Sequence, residues 1–120
     1  IALMSFFLFL QANNIVLNAT GSLAEASGML GGTGTVAGVA FPGLFHAHGR
    51  QVIAWIGWDL VRQAVAESGL RMPDFSDAQI SRSQHWRHQV PLVPAIYAAI
   101  AEQAFLSAGG QLLFHTMLGR

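Results

Sequence analysis

The 120-residue chain has no cysteine and no lysine, and little charge of either sign. Without cysteine there can be no disulfide, no thiolate nucleophile and no Cys-rich metal site. Six arginines balance six acids, and charged residues make up 10% of the chain, where ordinary soluble domains carry about 25%. Zero net charge leaves no electrostatic footprint for nucleic acid, so none is expected as a partner. Glu25 is the only acid in the first 58 residues, and Arg50 is the first arginine.

Hydrophobic residues make up 52% of the chain and mean hydropathy is +0.45. A domain of this size buries only about two-thirds of its unfolded surface, so this chain cannot cover its outside with polar groups. Either a membrane or further protein must do so. The longest apolar stretch falls well short of the roughly 20 residues of a spanning helix, which favours protein over membrane. The isolated chain is expected to aggregate.

Residues 1–10, Ile-Ala-Leu-Met-Ser-Phe-Phe-Leu-Phe-Leu, have the length of a signal-peptide core but no basic residue ahead of it. They read as a buried strand or as translated non-native sequence, and the expected location is cytoplasmic. Asn18-Ala19-Thr20 fits a glycosylation acceptor, which has meaning only in a secreted chain.

The most informative segment is Glu25-Ala26-Ser27-Gly28-Met29-Leu30-Gly31-Gly32-Thr33-Gly34-Thr35-Val36-Ala37-Gly38. An acid at the end of a strand can accept hydrogen bonds from a ribose, and a glycine run lets a diphosphate approach bare backbone. The segment resembles the E-x-x-G-x-L-G-G-x-x-T-x-G pattern of flavin-dependent oxidoreductases of the glutathione-reductase-like group. Glu25, Gly28, Leu30, Gly31, Gly32, Thr35 and Gly38 fall on it position by position. Gly49-Arg50-Gln51-Val52-Ile53-Ala54-Trp55-Ile56 is similar to the family's G-x-Q-V-I-x-G-I, with Trp55 where glycine is usual. Residues 94–116 resemble the family's next helix and the strand returning to the flavin domain.

The resemblance implies an α/β fold, a partial Rossmann-like FAD-binding domain with parallel strands and covering helices. It implies FAD as cofactor and a small-molecule substrate that the sequence does not specify. Glu25 would hold the adenosine ribose, Gly31, Gly32, Thr33, Gly34 and Thr35 would line the diphosphate or flavin, and backbone near Leu118 would meet the adenine. The family's G-x-G-x-x-G is missing before Glu25, for residues 1–22 hold a single glycine, Gly21. Residues 1–22 are therefore read as an atypical apolar N-terminus in place of the dinucleotide-binding loop, and residues 23–120 as the partial FAD-binding domain. The chain reads as a fragment whose partners include the missing parts of the same enzyme, and by itself it should bind FAD weakly or not at all. Without cysteine, thiol exchange within this segment is excluded. Two other readings remain: a catalytically inactive remnant of such an enzyme, and a small membrane-associated protein anchored by residues 1–10.

Periodicity gives the coarse structure. Residues 15–17, or the segment nearer Glu25, form the strand that presents the acid. Residues 28–49 are glycine-rich and form a loop. Residues 52–68 are helical, with Ile53, Ile56, Leu60 and Ala64 on one stripe, Val61 and Val65 beside it, and Gly69 as stop. Residues 70–93 are a surface connection with a short helical turn near 77–81. Pro94 opens a second helix whose apolar side is Ile96, Tyr97, Ile100, Ala101, Ala104 and Phe105. Residues 112–118 are apolar on both strand faces, the pattern of a parallel strand covered on each side.

His46 and His48, and His85 and His88, are spaced as possible metal pairs, but no cysteine or acid supports them, and no metal is expected. His46 and His48 are expected beside the flavin or substrate face, where either could act as a base near neutral pH, and His85 and His88 in solvent. Arg50 reads either as a phosphate partner or as an arginine covering apolar surface. Trp55 and Trp58 read as packing residues.

Overall fold

The computed structural model describes residues 16–17, 21–76, 82–117 and 119. Among these, a three-stranded sheet and two helices form the framework, a mixed α/β arrangement with one parallel strand pair. Strand β1 (Val16–Leu17) runs antiparallel to β2 (Ser22–Ala24), pairing Val16 with Ala24 and Leu17 with Leu23. The strand nearest Glu25 is thus the one that leads to the acid. A second sheet is the small hairpin of β3 (His46–Ala47) and β4 (Arg50–Gln51).

Helix α1 (Ile56–Glu67) buries Gly57, Leu60, Val61, Ala64 and Val65, the i, i+3, i+4, i+7, i+8 stripe of an amphipathic helix. Its end is a Schellman motif: Gly69, at φ +65°, donates to Ala66 O, and Leu70 donates to Val65 O. Helix α2 (Pro94–Ser107) has proline in its first turn and ends the same way, with Gly109 donating to Leu106 O and Gly110 to Phe105 O. Strand β5 (Gln111–Leu113) then pairs in parallel with β2, Leu23 opposite Leu112. The helices pack together, and Leu23, Leu30, Phe45, Val61, Val90, Ala101 and Phe105 form the centre of a single core.

The first helix starts later than expected, at Ile56. The amides of Val52 and Ile53 both donate to Phe45 O, which ties residues 52–53 to the hairpin. Trp55 then sits at φ +73°, ψ −159°, and ends any helical path upstream. These are backbone angles at home only in glycine, at the position where the family pattern carries glycine.

Three other expectations are corrected. The strand over 112–118 is only residues 111–113: Leu112 packs on the core, but Leu113 is 55% exposed and Met117 77%. Its side chains alternate, Leu112 toward the core and Gln111 and Leu113 toward solvent, so the strand has cover on one face alone. Residues 70–93 are not simply a surface connection, because His88, Val90 and Leu92 are buried and Met72 and Phe75 pack against the core. Leu92 donates to Ala40 O, which draws this segment inward. His88 is therefore enclosed and not solvated. The turn expected near 77–81 lies outside the described residues; a 3-10 helix follows at Arg82–His88.

Candidate functional site

Strand β2 delivers Glu25 to the carboxyl end of the parallel pair, the end at which open α/β sheets bind ligands. The pairing continues past the strands: Glu25 N donates to Leu113 O, Thr116 N to Glu25 O, and His115 N to Ser27 O. This double anchoring fixes the backbone of residues 25–27.

The Glu25 side chain is only 4% exposed. Its Oε1 accepts two hydrogen bonds from Ser27, one from the amide at 2.9 Å and one from the hydroxyl at 2.8 Å. The Ser27 hydroxyl also lies 2.9 Å from Met29 O, so its one proton is shared between two acceptors. Oε2 is buried and has no hydrogen-bond partner among the described residues. Buried polar atoms are nearly always paired, so an orphan calls for an explanation.

A cleft of about 220 Å³ is lined by Glu25, Ser27, Gly32, Thr33 and Val36. Drug-sized ligands occupy roughly 300–1,000 Å³, so the cleft suits one sugar-sized piece of a ligand. Of the residues expected at a nucleotide, it brings Glu25, Gly32 and Thr33 together. Gly31 and Thr35 lie behind it: Thr35 is buried and donates from Oγ1 to Leu30 O at 2.7 Å, and Gly31 sits at φ +104° against the Thr35 methyl group. Gly34 closes the turn by donating to Gly31 O. Leu118 lies outside the described residues. Sequence reasoning missed Ser27, although its spacing of two from the acid is that of a local side-chain-to-backbone turn.

A larger hollow, about 730 Å³, lies along α1 between Trp58, Arg62, Met72 and Phe75. None of the residues around it carries an orphaned buried polar atom among the described residues, whereas Glu25 at the smaller cleft does. His46 stands near this second region, stacked on Phe75 and edge-on to Trp58, and its Nδ1 is buried with no hydrogen-bond partner among the described residues. Desolvation, and secondarily the nearby His88, lower the pKa of His46. His88 meets Phe75 edge-on, and its Nε2 likewise has no hydrogen-bond partner among the described residues. His48 and Arg50 are exposed on the hairpin. Among the described residues no three metal-ligating side chains converge, and no helix is long and apolar enough to cross a membrane. Compared with known proteins, the chain matches no family model, no curated protein and no solved structure.

Proposed function

We propose that this chain is the adenosine-binding part of an FAD-dependent oxidoreductase with a Rossmann-like flavin domain. The observation that carries the reading is the orphaned Glu25 Oε2, enclosed at the carboxyl end of a parallel strand pair on a residue that also lines a sugar-sized cleft. A ribose hydroxyl would supply the missing donor. Ser27 holds Oε1 and so reserves Oε2 for the ligand, while Gly32 and Thr33 bring main chain to the cleft without bulk. The glycine-type backbone at Trp55 supports the same alignment, since it falls on the family's glycine position. The flavin, when bound, supplies the redox chemistry, and the protein positions it.

The test is ligand-observed NMR of the chain with adenosine diphosphate and with FAD. We expect weak binding of both, with saturation transfer strongest at the ribose protons, and about tenfold weaker binding in Glu25→Ala, the equivalent of one lost hydrogen bond to a charged group. Tight retention of FAD by the wild-type chain, or binding indifferent to Glu25→Ala, would refute the assignment.

A further inference from the structure

We propose that residues 52–55 form a wedge that enters the interfacial layer of an anionic lipid bilayer, with Arg50 at its base against the headgroups. Val52, Ile53, Ala54 and Trp55 are four consecutive apolar residues and all are exposed, Trp55 to 85%. Apolar runs of this kind on a surface mark contact with something apolar. Trp55 keeps a glycine-type backbone that turns its indole away from the core, so the fold gains no packing in return for the strain.

The chemistry selects lipid over protein as the occupant. Tryptophan, with an apolar body and one N–H donor, concentrates at the boundary between hydrocarbon and water. A segment entering that layer must satisfy its own backbone groups. Here the amides of Val52 and Ile53 bond Phe45 O, and Ile53 O accepts from Gln51 Nε2 at 2.9 Å. The charge has the matching sign: of the exposed charged residues that flank the wedge in the chain, Arg50 and Arg62 outnumber Asp59, and Arg50 stands at its foot. Such a loop needs no spanning helix, and it rests on nothing assumed about nucleotide binding.

The experiment is flotation of the full chain with vesicles of phosphatidylcholine alone and of phosphatidylcholine mixed with phosphatidylglycerol. The wild-type chain should float with the mixed vesicles, and brominated lipid should quench its tryptophan fluorescence. Trp55→Gly should lose at least roughly tenfold in partitioning while melting at a higher temperature, so that lost binding cannot be lost folding. Arg50→Gln should weaken binding roughly fivefold on the mixed vesicles only. The proposal is overturned if the wild-type chain does not float, if Trp55→Gly floats as well as wild type, or if ultracentrifugation shows self-association that Trp55→Gly abolishes, which would seat the wedge on a second copy of the chain.

Discussion

His46 lies flat on Phe75, ring centroids 3.8 Å apart and planes 8° from parallel, and His88 meets the same phenyl ring edge-on at 5.5 Å. Two imidazoles thus share one aromatic neighbour, each with a buried nitrogen that no described residue accepts from or donates to. Charging His46 would place an N–H donor where no described residue offers an acceptor.

Stability should fall as pH drops below about 6.5, the ordinary histidine value. His46 binds its proton less readily folded than unfolded, because burial and His88 disfavour its charged form. Its contribution is therefore complete above the unfolded pKa and is lost as pH falls toward the lower folded value. Asp74 is exposed, and its carboxyl is held below the usual 3.8 mainly by hydrogen bonds from Ser76, with smaller help from His88 and Arg87, so it titrates in a separate, more acidic window. Thermal melts across pH 8 to 5 should show the decline, and His46→Phe should flatten it. An unchanged slope in that variant would locate the proton uptake elsewhere.

Trp55→Gly should stabilise the fold. The observed angles cost a non-glycine residue about 1–3 kcal/mol, and glycine returns roughly 0.5–1 kcal/mol of that through its freer unfolded chain. The side chain makes no buried contact to lose. A gain of about 1 kcal/mol, or about 4 °C in melting temperature, is expected by calorimetry. A loss would mean that the indole packs in a way its exposure does not suggest.

The glycine loop should respond unevenly to alanine. A Cβ on Gly31 would lie 2.6 Å from the Thr35 methyl, at φ +104°, and Thr35 is pinned by its bond to Leu30 O. Left-handed strain and overpacking together predict a loss of about 2–4 kcal/mol. A Cβ on Gly28 would also come close, 2.8 Å from the His115 ring, but that ring is exposed and can swing aside, and Gly28 is outside the left-handed region. Gly28→Ala should stay within about 0.5 kcal/mol of wild type. Urea denaturation of the two variants measures the contrast directly.

The C-terminal end of α1, both ends of α2 and the buried face of α1 were legible from sequence, because Gly69, Pro94 and Gly109 are strong local signals and Leu60, Val61, Ala64 and Val65 repeat at the helical period; the start of α1 was not. Glu25 was legible as a strand-end acid because no other acid precedes Asp59. The hairpin was not. Its two-residue turn is His48-Gly49, both at positive φ, where the usual signal is Asn-Gly or Asp-Gly. The burial of His88 was equally hidden, since histidine reads as polar and its enclosure depends on Phe75, which is distant from it in sequence. Exposure of Leu113 could not be read from an apolar triplet, for composition does not say how many faces of a sheet are covered.

The side chains of Ser22 and Gln111 meet across the parallel pair, 89 residues apart in the chain. During synthesis β2 therefore emerges long before β5 exists, and the main-chain bonds that seat Glu25 wait for nearly everything in between. Until then one edge of β2 has no neighbour, in a chain with few charges to deter association. Pairings of such long loop length also form slowly. The enclosed carboxyl group is consequently among the last parts of the molecule to take shape, and until then the open edge of β2 is a place where wrong pairings can form.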